Sequence, residues 1–247
     1  MAEGLNPMLN DLSVIIPVGP DEDRLPDLVD SLRLLPDTVE ILFVTASPVN
    51  YSIRKQLEEI RTCLPSADII WIRSENAGRS QQMNSGVQNA RNGFLWFLHA
   101  DSKFSMELLT ALNQALKEKP DHLHYFKLAF MDDCGSKLLR LNERSANMRS
   151  GKLKMPFGDQ GLCIAKKGFV RANGYPEGCD YGEDHLFVWH ARQLGIQLNL
   201  IDEKLYTSAR KYQAHGWIKM SLLYQYRTWR QAIPEYFTLI FRKGNRS

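Results

Sequence analysis

Apolar residues fall at two different spacings along the first half of this chain. Leu12-Ser-Val-Ile-Ile-Pro-Val18 is a short apolar run closed by Gly19-Pro20, which predicts a strand and a turn. In residues 24–35 the apolar positions Leu25, Leu28, Val29, Leu32 and Leu35 recur at helical spacing. Residues 39–45 form a second β-type run. Residues 51–64 predict a helix with Ile53, Leu57, Ile60 and Leu64 on one face. Residues 69–72 read as a third strand, 80–92 as a polar helix, 94–99 as a fourth strand and 106–119 as a helix stopped by Pro120. Such alternation predicts an α/β fold with a mostly parallel central sheet covered by helices on both faces. After Pro120 the order changes: a strand over 122–131, a polar helix over 136–150, and the turn Gly158-Asp159-Gln160-Gly161 before apolar 162–165. A helix over 183–194 and a strand over 197–201 follow.

The chain has 247 residues, 44% of them hydrophobic, which suits one large domain or a domain with a small appendage. A net charge of +3 argues against a generic nucleic-acid binder. The balance is uneven. Residues 216–247 carry six Lys/Arg against one acid, net +5, so the remainder is −2. The cysteines Cys63, Cys134, Cys163 and Cys179 show no CxxC spacing, which argues against a zinc site or a disulfide framework and fits reduced thiols in a cytoplasmic protein. Residues 1–11 lack the basic start and apolar core of a signal peptide. No apolar window approaches the ~18 residues that a membrane-spanning helix needs.

The candidate chemistry gathers at predicted strand ends, where open α/β sheets bind ligands. Phe94-Leu-Trp-Phe-Leu-His-Ala-Asp101 reads as a buried strand ending in two potential metal ligands. Residues i and i+2 of a strand share a side, so His99 and Asp101 can converge on one ion or phosphate. Equally, Asp101 can cap the next helix and His99 can be a core histidine. The first βα turn holds Pro17, Gly19 and Glu22; it is neither GxGxxG nor a Walker loop, but its backbone can still approach a nucleotide. Gly78 precedes a helix whose first turns carry Arg79, Gln82 and Asn84, a place suited to phosphate; an ordinary glycine turn with a solvated Arg reads the same way. Asp159 and Gln160 sit between two glycines, in either a ligand-contacting loop or a tight turn. Glu183 and Asp184 open a helix, as capping acids or with one carboxylate as a proton acceptor. His215 is a surface histidine or a late-arriving ligand to a metal or diphosphate.

In this order the pieces Leu12-Ser-Val-Ile-Ile-Pro17, Gly78-Arg-Ser-Gln-Gln-Met-Asn84, Leu98-His-Ala-Asp101, Phe157-Gly-Asp-Gln-Gly161, Gly182-Glu-Asp184 and Thr207-Ser-Ala-Arg210 resemble the inverting family 2 glycosyltransferases, in their compact bacterial subgroup. The resemblance implies a single GT-A-type, Rossmann-like domain over 12–215, after an N-terminal extension at 1–11 and before a helical aromatic and basic segment at 216–247. It implies one sugar moved with inversion from a nucleotide-sugar donor, and a divalent metal, Mn or Mg. The family's DxD motif maps to His99-Ala100-Asp101, which makes Asp101 the metal ligand and puts His99 where the first Asp stands. The family's base maps to Asp184, with Glu183 orienting acceptor or base. Pro17, Gly19, Glu22, Gly78, Arg79, Gln82, Asn84, His99, Asp159 and Gln160 are the implied donor contacts, and His215 a further metal ligand. The chain departs from the family at Thr45-Ala-Ser-Pro48, where an Asp often meets the nucleobase, and lacks the QxxRW motif of processive synthases. Two other readings compete. A sugar nucleotidyltransferase would show a Gly-rich first loop with Arg and Lys, which Gly19-Pro20 and its three neighbouring acids do not supply. A non-catalytic sugar-nucleotide-binding protein would account for His99 and the missing acid.

The tail carries aromatic residues interleaved with basic ones. Two arrangements suit it: a helix packed over the acceptor side of the domain, or a hairpin of helices broken at Pro234 that rests on anionic lipid near a lipid-linked acceptor. The second places the protein at the inner face of the membrane.

Overall fold

The computed structural model describes residues 7–20, 22, 25–46, 51–131, 137–179, 181–209 and 217–244. Its strands are β1 (Leu12–Val18), β2 (Glu40–Ala46), β3 (Asp68–Ser74), β4 (Phe94–Phe97), β5 (Leu123–Phe130), β6 (Cys163–Ala165) and β7 (Leu198–Thr207). Its helices are α1 (Leu25–Leu32), α2 (Tyr51–Cys63), α3 (Arg79–Asn89), α4 (Met106–Glu118), α5 (Lys137–Leu153), α6 (Lys166–Arg171), α7 (Glu183–Gln193) and α8 (Trp217–Gly244). The seven strands form one sheet in the order β3-β2-β1-β4-β6-β5-β7. All neighbours run parallel except β6, which is antiparallel to β4 and β5. Apolar residues pack on both faces: Val14, Ile16 and Phe43 with α1, α2 and α4 on one, Ile15, Leu42 and Val44 with α3 and α7 on the other. Burial on both sides explains why these strands are continuously apolar rather than alternating.

Two differences from the sequence reading have local causes. Residues 7–11, read as an extension, form a 3-10 helix that places Leu9 fully in the core, and Met8 N donates to Asn113 Oδ1 at 2.9 Å. The last strand runs to Thr207 rather than ending at 201. Opposite Phe126 and Lys127 its register skips from Ile201 to Lys204, so Asp202 and Glu203 form a bulge that interrupts the apolar pattern without ending the strand. Of the two arrangements offered for the tail, the structure has the helix: α8 is continuous through Pro234. A proline inside a helix costs ~3 kcal/mol. Contacts on both sides of it hold the helix onto the body: Gln231 Nε2 donates to Tyr181 O at 2.8 Å, and Gln193 Nε2 donates to Glu235 Oε2 at 2.6 Å. Ala232 and Leu239 pack with Trp189 and Met155.

Because β6 has three residues and meets β5 only at His124↔Cys163, the edge of β5 beyond that point lacks a strand partner. Side chains take the partner's place. Gln160 Nε2 donates to Phe126 O at 2.8 Å. Asn147 accepts from Leu128 N at 2.8 Å and donates to Leu128 O at 2.9 Å, and Glu143 Oε1 accepts from Phe130 N at 2.7 Å. The residues 126, 128 and 130 alternate correctly for one strand edge. Leaving a buried donor or acceptor unmet costs ~1–3 kcal/mol each. Asn147→Leu keeps the volume and removes both bonds to Leu128. It is expected to lower unfolding free energy by ~2 kcal/mol or more, read as a lower urea midpoint at unchanged slope.

Candidate active site

The carboxyl ends of β4 and β7, the loop before β6 and the start of α7 meet at one cavity of about 460 Å³. Arg79, His99, Asp101, Asp159, Glu183 and Asp184 all line it. The inner walls of α5 and α8 close it, through Asn142 and Arg149 on one and Tyr224, Arg227 and Gln231 on the other.

His99 and Asp101 reach this cavity by a route other than strand alternation. Strand β4 ends at Phe97, and residues 99–102 form a turn in which Ser102 N donates to His99 O at 3.1 Å and His99 N donates to Ser102 Oγ at 3.2 Å. The end of β7 ties the turn down: Lys103 and Tyr206 exchange backbone hydrogen bonds of 2.9 Å. Asp101 accepts from Ser208 N at 3.3 Å and Thr207 Oγ1 at 3.4 Å. Two motifs over a hundred residues apart in the chain thus form one support for a single carboxylate.

The centre of the site is Gly158. A Cβ there would lie 2.8 Å from Asp184 Oδ2, 3.1 Å from Arg79 Nη2 and 3.2 Å from His99 Nε2. Any side chain would displace the convergence of those three groups, so glycine is required for space rather than for φ. The Gly158 N–H donates to Asp184 Oδ2, and His185 N donates to Asp184 Oδ1 at 2.8 Å. These bonds orient the carboxylate at the start of α7, where the helix dipole also favours negative charge. Arg79 Nε lies 3.6 Å from Glu183 Oε1, an ion pair between the first residues of α3 and α7. Asp159 lies in the same cavity. Burial, with Asp184 and Asp101 adding like charge, pushes its carboxyl up to about 6, although Arg149 and Arg79 act the other way. Carboxylates crowded in this way suit a cation.

The other residues of the sequence reading are placed as follows. Pro17 and Gly19 lie at the end of β1, with Glu22 N closing a turn onto Gly19 O at 3.4 Å, and Gly78 precedes α3 at φ 138°. These positions border the carboxyl edge without lining the cavity. Three side chains read as donor contacts are engaged with the protein's own backbone. Gln160 is fully buried; besides Phe126 O it donates to Ser150 Oγ at 3.0 Å, so its amide is spent closing the β5 edge. Gln82 is buried and donates to Val18 O at 2.8 Å and Val44 O at 2.7 Å, stitching the ends of β1 and β2. Asn84 holds the backbone of Tyr175 through bonds of 2.9 Å and 3.0 Å. His215 and Arg210 lie outside the described residues. Arg149 and Arg227 stand in none of the motifs singled out in the sequence. Arg149 stacks 3.6 Å over the Phe157 ring and Arg227 4.6 Å over that of Tyr181, and only the docking of α5 and α8 brings them to the cavity.

Among the described residues no three His, Cys, Asp or Glu side chains group so as to hold a metal ion by themselves. A divalent cation here would therefore need ligands beyond these side chains.

His185, one residue past Asp184, links α7 to α8. Trp189 Nε1 donates to its Nε2 at 3.0 Å, so Nδ1 carries the proton and faces Gln231 Oε1 at 3.2 Å. Burial lowers the imidazole to about 4. The folded state therefore binds fewer protons than the unfolded state between ~6.5 and about 4. Its contribution to stability is complete above ~6.5 and is lost as pH falls across that window. His185→Gln removes the titration. The fall in Tm between neutral pH and pH near 4.5 is expected to be smaller in the variant, measured by calorimetry.

The family model described as Glycosyl transferase family 2 matches residues 13–172. No curated protein matches the chain. Among solved structures, S. aureus TarS 1–349 in complex with UDP-GlcNAc superposes with TM-score 0.62 at 18% identity, covering 80% of this chain and 58% of that one. The mannosyltransferase PcManGT from Pyrobaculum calidifontis, in complex with GDP-Man and Mn2+, superposes with TM-score 0.71 at 13% identity, covering 94% of this chain and 68% of that one. The chain thus spans under two thirds of the TarS fragment. At such identities the likeness shows the fold, which is the GT-A type.

Proposed function

Since the chain belongs to glycosyl transferase family 2, we propose that it moves one sugar from a nucleotide-sugar donor to an acceptor hydroxyl, with inversion and with Asp184 as general base. The observation that carries this reading is the convergence of Asp184, Arg79 and His99 on Gly158, inside the cavity that Asp101 also lines. UDP-GlcNAc and GDP-Man in the superposed structures support a nucleoside-diphosphate sugar as donor, and Mn2+ in one of them supports a divalent cation.

In this proposal the nucleotide lies along the ends of β1 and the start of α3, past Pro17, Gly19, Glu22 and Gly78. Gln82 acts indirectly, by fixing the spacing of β1 and β2 beneath it. Asp101, oriented by Thr207 and Ser208, would hold the cation, whose remaining ligands would come from outside the protein side chains. When bound, the metal offsets negative charge on the departing diphosphate. Arg79 adds positive charge beside the same cavity and keeps Glu183 in place. Asp184, held by Gly158 N–H, accepts the proton of the attacking hydroxyl. One carboxylate acting on an incoming hydroxyl implies direct displacement, and hence inversion at the anomeric carbon.

A panel of UDP- and GDP-sugars, each with Mn²⁺ or with chelator, tests the proposal. Metal-dependent release of nucleoside diphosphate is expected; formation of pyrophosphate, or no turnover of any donor, would overturn it. Asp184→Asn keeps the shape and removes the base. Its kcat is expected to fall by ~10² or more with donor affinity retained, by single-turnover kinetics and calorimetric titration. A near-normal Asp184→Asn beside an inactive Glu183→Gln would reverse the two roles. Asp101→Ala is expected to abolish the metal-dependent rate, and NMR of the product from an α-linked donor is expected to show a β linkage. An α product would exclude Asp184 as the base of a direct displacement.

A further inference from the structure

Helix α8 has two working faces. One docks on α7 and walls the cavity with Tyr224, Arg227 and Gln231. The opposite face presents Leu222, Tyr226, Trp229, Ile233, Phe237 and Ile240, each between 47% and 67% exposed. Their spacings of four, three, four, four and three residues make one continuous apolar stripe. Nothing in the body of the protein covers it among the described residues, and no described helix is long and apolar enough to cross a membrane.

Charge decides what covers the stripe. By sequence, α8 and α5 each carry five Lys/Arg and one Glu, net +4 apiece, so the rest of the chain is −5. Glu235, the sole acid of α8, is engaged by Gln193 Nε2 at 2.6 Å. The two helices stand together at the cavity: both line it, and Ser221 Oγ donates to Asn142 Oδ1 at 3.4 Å. A second copy laid stripe to stripe would bring together two helices that are each net positive even without Arg227, which faces the cavity. An anionic lipid surface attracts the same charge, and Trp and Tyr favour the interfacial zone where an amphipathic helix lies in plane.

We propose that α8 seats this protein on an anionic lipid surface and that the acceptor hydroxyl belongs to a lipid-anchored molecule reaching the cavity from that surface. The acceptor half rests on the glycosyltransferase reading; the docking half does not. Since one continuous helix carries the lipid-facing stripe and the cavity wall, seating the first places the second beside the bilayer.

The test is flotation of the full chain with vesicles of phosphatidylcholine alone or mixed with phosphatidylglycerol, at low and high salt. The comparison is Trp229→Glu/Phe237→Glu, two positions outside the cavity. The wild type is expected to float with the anionic vesicles at low salt and not with the neutral ones. The double variant is expected to lose about tenfold or more of the bound fraction while its melting temperature and its donor turnover without vesicles stay as in the wild type. Absent wild-type binding, or equal binding by the variant, would overturn the docking. So would a concentration-dependent dimer in lipid-free buffer that the variant abolishes, since that would make the stripe a contact between copies. If the wild type floats but no donor is turned over with or without vesicles, the docking stands and the glycosyltransferase reading fails. If donors are turned over and a short-chain soluble hydroxyl acceptor outperforms the same hydroxyl on a vesicle-anchored lipid, the acceptor half is wrong.

Discussion

Strand β6 meets β5 at a single residue pair, and the backbone of β5 beyond it must still be satisfied. Buried N–H and C=O groups left without partners cost ~1–3 kcal/mol each, so the gap dictates what stands beside it. Asn147 and Glu143 reach down from α5, and Gln160 reaches across from the loop before β6. Those bonds fix α5 over the sheet and the 158–161 loop between β4 and β5. Gly161, at φ 62°, has no room for a side chain: a Cβ would lie 2.6 Å from Leu205 Cδ2. The loop is therefore held rigidly at both ends, and Gly158 is delivered to the point where Asp184, Arg79 and His99 meet.

The cavity is electrostatically asymmetric in a useful way. Asp101, Asp159 and Asp184 face the same space as Arg79, Arg149 and Arg227. Four of these groups have distinct supports. Asp101 is held by the end of β7, Asp184 by a backbone N–H, Arg149 by the face of Phe157 and Arg227 by that of Tyr181. Fixed groups of this kind need little rearrangement when a charged ligand enters, which is the basis of electrostatic preorganisation. Burial is the main cause of the upward shift of Asp159, with Asp184 and Asp101 adding like charge.

Helix α8 joins the site to the outside of the molecule. Its inner face completes the cavity wall, and its outer face is the most apolar exposed surface of the described helices. Continuity through Pro234 matters here, because a break would have uncoupled the wall from the stripe. The helix stays whole because Gln231 and Glu235, one on each side of the proline, are both anchored to the body around α7.

Hydrophobic periodicity determined most of the strand and helix order, because burial on one or two faces of an element is written directly into its spacing, but the six-residue α6 is too short to show a period and went unread. The short motifs around Asp101, Gly158 and Asp184 determined which chemistry to look for, because carboxylates and glycines at strand ends have few structural uses in common. What periodicity could not carry was pairing. Gln82, Asn84 and Gln160 sit in motifs that read as ligand contacts, yet their amides satisfy backbone groups of strands remote in sequence. The bulge at Asp202 and Glu203 hid the last residues of β7, and with them the partners of Asp101. Arg149 and Arg227 belong to the site only because α5 and α8 dock where they do. An amide or a guanidinium is the same residue in a ligand site, in a core or on a surface; the partner that the folded chain brings to it decides its role.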